Sequence, residues 1–162
     1  MKIIDNFLDK EYFTEIKNTL CGEQFAWYHT PTLLVLKKKI PVNYYFFHML
    51  YDSSVPHSSH YSLFIPLIKK LNAISLTRIR MNLYIPTAKP VPSEFHQDVP
   101  NAKTKYKTGI LYITKNNGYT IIEDKKIECK ENRFLEFDGN TLHSAVSPTD
   151  ERKILCNFNW YE

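Results

Sequence analysis

No apolar run in the 162-residue chain approaches the roughly 20 residues that a membrane-spanning helix requires. The opening Met1-Lys2-Ile3-Ile4-Asp5 lacks the long apolar core and cleavage site of a secretory leader. Cysteine is scarce: Cys21, Cys129 and Cys156 are odd in number and form no CxxC pair, which favours reduced thiols in a cytosol over a disulfide framework. No internal repeat or second domain is visible. The net charge of +4 is mild, so an acidic partner is permitted but not demanded. Present instead are 43% hydrophobic and 14% aromatic residues, the composition of a globular protein long enough for one sizeable core. The expectation is a cytoplasmic monomer of one domain, with 1–76 as helix and strand support and 77–162 as a β-rich core.

The N-terminal half alternates between structure types. Lys2 to Asp5 reads as a short edge strand, and Asp9 as the N-cap of a helix over Lys10 to Leu20, closed by Cys21-Gly22. Tyr12, Phe13, Ile16 and Leu20 recur at helical spacing and should cover one face of the core. Phe25 to Leu36 and Tyr44 to Tyr51 read as strands, with Lys37-Lys38-Lys39 between them as a solvated turn. A helix over Tyr61 to Leu71 contains Pro66, where it must begin or kink. From Thr77 on the pattern is mostly β. Ile79, Met81, Leu83 and Ile85 alternate with Arg78, Arg80, Asn82 and Tyr84, which predicts an apolar face on helices and a polar face lining a cavity. Thr108 to Thr114, Tyr119 to Glu123, Ile127 to Cys129, Arg133 to Phe137 and Arg152 to Phe158 are further short strands, pointing to a barrel or jelly roll.

The chemistry concentrates in Glu94-Phe95-His96-Gln97-Asp98. On an extended backbone His96 and Asp98 leave on one face. With His143 they make two imidazoles and one carboxylate, a set that holds non-haem Fe(II) with coordination positions left open, and that suits catalytic zinc as well. Nine residues past His143, Arg152 stands at the head of the last strand, a fork-shaped partner for a carboxylate. His29, His48, His57 and His60 have no matching spacing and read as structural or solvated.

The ordered set His96-x-Asp98, His143, Arg152 resembles the 2-oxoglutarate/Fe(II)-dependent dioxygenases. From about Arg78 to Tyr161 the likeness is to the prolyl-hydroxylase-like branch, and the chain is similar to small oxygenases of marine phages. The resemblance implies a double-stranded β-helix (mainly β, α+β) with the N-terminal helices packed outside it. It implies Fe(II) on His96, Asp98 and His143, 2-oxoglutarate and O2 as cosubstrates, and ascorbate as a reductant. Arg152 and Tyr112 would hold the distal carboxylate of 2-oxoglutarate, Tyr84 would contact the cosubstrate or the metal-bound water, and Asn82 would share its cavity. The implied reaction hydroxylates an unactivated C–H bond and converts 2-oxoglutarate to succinate and CO2. By analogy alone, peptidyl proline leads as substrate, ahead of other proteins or small molecules. Nucleic-acid repair members carry a second arginine six residues after the first; here that position is Phe158, which counts against nucleic acid. A cupin-like binding module without catalysis is the alternative of a different class. Between Asp98 and Thr108, Lys103, Lys105 and Lys107 alternate, so an extended backbone would set three ammonium groups on one side of the substrate rim and leave Tyr106 to cover the pocket; the alternative is a solvated basic loop that only aids solubility.

Overall fold

The computed structural model describes residues 1–30, 45–99, 102 and 104–162. Its N-terminal helix α1, Lys10–Cys21, starts where the Asp9 carboxylate accepts a hydrogen bond from Tyr12 N at 2.9 Å. The buried side of α1 is Phe13, Ile16 and Leu20, the predicted stripe. The expected second helix is split. A 3-10 turn over Ser59–Phe64 leads into α2, Ile65–Lys70, because Pro66 lacks an N–H and fits only the first helical turn. The Tyr12 hydroxyl donates to Leu63 O at 2.7 Å and joins this corner to α1.

The strands are β1 Lys2–Ile4, β2 Tyr28–Thr30, β3 Tyr45–Asp52, β4 Val55–Pro56, β5 Ser75–Tyr84, β6 Lys107–Tyr112, β7 Tyr119–Ile122, β8 Lys125–Glu128, β9 Arg133–Asp138, β10 His143–Val146 and β11 Lys153–Tyr161. The larger sheet runs β1-β9-β6-β11-β5-β3-β2, with β4 on β3, and the smaller runs β10-β7-β8. Every pairing is antiparallel. Part of the predicted strand Phe25–Leu36, and Lys37-Lys38-Lys39, lie outside the described residues.

Alternation sorts the larger sheet into two faces. Ile79 and Met81 of β5, Ile154, Cys156, Phe158 and Trp160 of β11, and Leu111 and Phe134 pack with Phe13, Ile16, Leu20 and Leu67 into the helix-side core. Burying a side chain of this kind contributes about 1.5–3 kcal/mol, which is what drives the helices onto the sheet. The opposite face supplies Tyr84, Ile110, Tyr112, Leu135 and Leu155, which meet Ile122, Ile127 and Ala145 in the interior between the sheets. Two facing antiparallel sheets with helices outside one of them form the predicted jelly roll. No helix among the described residues is long and apolar enough to cross a membrane.

Candidate functional site

The segment before β10 in space is the one that carries His96. His96 N donates to His143 O at 3.0 Å and His143 N donates to His96 O at 3.1 Å, a reciprocal antiparallel pair. Residues paired in this way project their side chains to the same face, and the two imidazole centroids lie 4.6 Å apart. Ser93 holds the register: its N–H donates to Ala145 O at 2.8 Å, and the Ser144 hydroxyl donates to Ser93 O at 2.6 Å. Asp98 follows in a bend, and its carboxylate joins the two rings. One ligand atom each from His96, Asp98 and His143 falls within a span of 4.8 Å.

Both rings are oriented from behind. His96 Nδ1 donates to Glu94 O at 2.9 Å and His143 Nδ1 to Thr141 O at 3.3 Å. That tautomer leaves each Nε2 as a lone-pair donor, the arrangement in which histidines bind metals. Asp98 Oδ2 lies 3.7 Å from His143 Nε2. Asn157 and Asn159 of β11 donate to the same oxygen at 3.0 and 3.1 Å, and Arg78 donates to Oδ1 at 3.1 Å. Sequence reasoning assigned none of these three a role at Asp98. Arg78, Asn157 and Asn159 all stand on the interior-facing parity of neighbouring strands, a signal that was available.

Burial works to raise the Asp98 carboxyl, but His143, Arg78 and the two amides outweigh it and lower the group to about 2. Burial holds the His143 imidazole below its ordinary value despite the nearby carboxylate. In both cases the unfolded chain binds more protons than the native one, so stability must fall with falling pH. For the metal-free protein we expect full stability above about pH 6.5, a first decline as unfolded His143 gains its proton, and a second between about pH 3.8 and 2 from Asp98. The Asp98 share is on the order of 2 kcal/mol. Urea melts from pH 8 to 2.5 test this; a midpoint that does not move below pH 4 would contradict it.

The structure does not bring Arg152 to this group. Its side chain is exposed and donates to Cys21 O at 3.3 Å, at the C-terminus of α1. The reason is parity: Arg152 shares its face with Ile154, Cys156 and Phe158, which all turn to the helices. The inward side chain is Lys153, fully buried, with Nζ donating to Tyr119 O at 2.7 Å and Val146 O at 3.2 Å. No carboxylate among the described residues pairs with it. The Cys129 thiol, a weak acceptor, also lies against it, and burial pulls the ammonium below its usual range.

Tyr84 is the cross-strand partner of Lys153, its ring centroid 5.3 Å from Nζ. Tyr112 is fully buried and donates to Thr120 Oγ1 at 2.7 Å. Thr108, Ile110 and Tyr112 are all buried, the last two between the sheets. Asn82, on β5, is half-buried, and its Oδ1 has no hydrogen-bond partner among the described residues.

The lysine rim takes another form. Lys103 lies outside the described residues, and Lys105 is exposed. Lys107 is the first residue of β6, and its ammonium lies 3.4 Å from Glu136 and 3.5 Å from Glu162, so it is not free to steer a partner. Tyr106 is buried rather than poised over a pocket. Its hydroxyl donates to Gly139 O at 2.6 Å and accepts from Val99 N at 3.2 Å, which ties down the segment just after Asp98. Only glycine fits at 139, since a Cβ there would lie 2.1 Å from the Tyr106 ring. His48 is structural, bonded to Ala26 O and Ser58 Oγ at 2.8 Å each.

No protein-family profile matches the chain, and no curated protein matches its sequence. Solved structures do match. A prolyl hydroxylase from Trichoplax adhaerens, in complex with a hypoxia inducible factor oxygen degradation domain peptide fragment, superposes with TM-score 0.72 at 14% identity, over 98% of this chain and 82% of that one. The viral collagen prolyl hydroxylase of Paramecium Bursaria Chlorella virus-1 superposes with TM-score 0.61 at 14% identity, over 99% and 89%. An oxidoreductase of the 2OG-Fe(II) oxygenase family from Burkholderia pseudomallei gives TM-score 0.68 at 8% identity, over 98% and 84%. With the paired sheets, the outer helices and the strand order described above, these likenesses show that the chain has the jelly-roll fold of the 2-oxoglutarate/Fe(II) oxygenases, prolyl hydroxylases among them.

Proposed function

We propose that the protein is a 2-oxoglutarate- and Fe(II)-dependent dioxygenase that hydroxylates an unactivated C–H bond. The observation that carries this reading is a conjunction. A two-histidine, one-carboxylate cluster has its carboxylate held by Asn157 and Asn159 of β11, which share their strand parity with Lys153, fully buried and without a carboxylate partner among the described residues. Lys153 and Asn157, which holds Asp98, are four residues apart on β11, roughly 13 Å of strand.

The residues fit the groups that the fold family uses. His96, Asp98 and His143 would hold Fe(II), which suits such a donor set. A buried ammonium with no carboxylate partner among the described residues would gain its counter-ion from the far carboxylate of 2-oxoglutarate, so the role first given to Arg152 passes to Lys153. Bound iron and 2-oxoglutarate supply the oxidative decarboxylation to succinate and CO2 and the power to attack a C–H bond. The chain's own part is positional. The Nδ1 bonds of both histidines fix their rings, Arg78, Asn157 and Asn159 fix the carboxylate, and the buried interior keeps water from the cosubstrate. Tyr84 faces Lys153 across the β5–β11 pair, and Tyr112 lies in the same interior cluster as Tyr84.

A peptidyl proline is the favoured substrate, supported by the prolyl hydroxylases among the similar structures. Phe158, where a nucleic-acid repair arginine would stand, is buried in the helix-side core, which weighs against that substrate. Aerobic incubation with Fe(II) and 2-oxoglutarate, with ascorbate as reductant, should yield succinate, and one member of a panel of prolyl peptides should gain 16 Da in mass spectrometry. Succinate at background level with every preparation of the metal-loaded protein would remove the dioxygenase reading.

A further inference from the structure

The interior face of β5 carries Arg78, Arg80, Asn82 and Tyr84, and two of the four already have partners. Arg78 pairs with Asp98, and Tyr84 faces Lys153. Arg80 and Asn82 remain. Arg80 is half-buried, and no carboxylate among the described residues pairs with it. Its guanidinium carbon lies 4.5 Å from the Phe47 ring centroid and 5.1 Å from that of Tyr45, and one Nη donates to the Tyr45 hydroxyl. Its Nε is buried with no hydrogen-bond partner. Three amide oxygens on the interior face are likewise buried without a partner among the described residues: Asn159 Oδ1 beside Asp98, Asn82 Oδ1, and Asn157 Oδ1 on the residue directly across from Arg80 in the β5–β11 register. The Asn157 amide cannot be turned round, because its Nδ2 serves Asp98.

An orphaned guanidinium Nε–H beside the Asn82 and Asn157 carbonyl oxygens is complementary to a carboxylate with an adjacent N–H donor. We propose that Arg80, Asn82 and Asn157 recognise the α-carboxylate and neighbouring N–H of the substrate, supplied either by a free amino acid or by the C-terminal residue of a peptide. The two aromatic rings fix the plane of the guanidinium, so the fork is held ready at little entropic cost. The position separates this anion from the cosubstrate. Arg80 pairs with Asn157 and Tyr84 with Lys153, so Arg80 stands at the Asp98 end of the interior, four strand residues from the lysine. A substrate carboxylate held there keeps the remainder of the substrate beside the His96, Asp98 and His143 cluster. Leaving buried polar atoms without partners is costly, which argues that these three positions are kept for a ligand.

This inference rests on the reading of the site as 2-oxoglutarate-dependent, and the experiment separates the two. Protein loaded with Zn(II) and 2-oxoglutarate, which does not turn over, is titrated calorimetrically with the free L-amino acids, with their N-acetyl derivatives and with their carboxamides. At least one acid should bind, with its carboxamide about 30-fold weaker or more. Binding within the first set identifies a free amino acid, and binding confined to the second identifies a peptide terminus. Arg80→Gln should bring acid and amide to equal affinity. Arg80→Lys keeps the charge without the fork and should lose most of the preference. It carries the test should Arg80→Gln not fold, and each variant is first checked for uptake of Zn(II) and 2-oxoglutarate. The proposal is overturned by an absence of acid binding, by acid and amide binding alike in the parent, or by a preference that survives both variants. Parent protein that fails to take up 2-oxoglutarate at all would instead defeat the underlying reading.

Discussion

Lys153→Met is expected to weaken 2-oxoglutarate binding by about 2–5 kcal/mol, roughly 30-fold to several thousand-fold, while Arg152→Ala leaves it near the parent value. The two residues are adjacent, yet they lie on opposite faces of β11. Arg152 is exposed at the end of α1, where a surface contact to a helix C-terminus contributes well under 1 kcal/mol. Lys153 is fully buried, and among the described residues its ammonium meets two carbonyl oxygens, a thiol and the face of the Tyr84 ring, with no carboxylate. Methionine has a similar volume and no charge. Removing a buried cation that lacks an ion partner should therefore raise the melting temperature of the ligand-free protein, even as cosubstrate binding is lost. A purely structural lysine would give the reverse pattern, with stability lost and binding spared. Anaerobic titration of the Fe(II)-loaded variants, followed through the visible charge-transfer band, measures the binding; calorimetry of the apo-proteins measures the stability. Loss of binding in Arg152→Ala with binding intact in Lys153→Met would return the carboxylate to the arginine.

The exchange of these neighbours shows what spacing alone conveys. The order His96, Asp98, His143 could be read directly, because a metal cluster needs particular donor types and the chain has few histidines. The choice between positions 152 and 153 needed the facing of the strand, and the alternation already contained it. Arg152 shares parity with Ile154, Cys156 and Phe158, whereas Lys153 shares parity with Asn157 and Asn159, the polar set. The β5 reading succeeded for that same reason, with Ile79 and Met81 toward the helices and Arg78, Arg80, Asn82 and Tyr84 toward the interior. Asp9 and Pro66 marked helix starts because capping and the missing proline N–H are local effects. Longer-range contacts left no local trace. The pin from Tyr106 to Gly139, the ion pair of Lys107 with Glu136 and the reciprocal pairing of His96 with His143 link segments far apart in sequence. Tyr106 therefore read as a free lid and Lys107 as a free cation, although the fold occupies both.

His96→Ala, Asp98→Ala and His143→Ala should each abolish stoichiometric binding of Fe(II), or of Mn(II) or Zn(II) in its place. The three differ in what else they disturb. His96 is half-buried and bonds only to Glu94 O through its ring, so its loss should leave the apo-protein folded and barely less stable. His143 is buried against His96 and Phe137, and its removal leaves a cavity that costs a further few kcal/mol. Asp98 is the centre of a charge network. Without it Arg78 has no ion partner among the described residues, the Asn157 amide loses its acceptor and that of Asn159 keeps only Thr108 Oγ1, a change worth on the order of 3 kcal/mol against the fold. Asp98→Asn keeps the volume but still leaves Arg78 unpaired, so it should bind metal poorly and melt below the parent. Metal content per chain after dialysis, set beside the apo-protein melting temperature of each variant, separates the loss of a ligand from the loss of structure. The expected ranking of stability is His96→Ala above His143→Ala and Asp98→Ala, with metal absent from all three. A variant lacking all three side chains that still bound one equivalent at unchanged affinity would place the metal elsewhere on the protein.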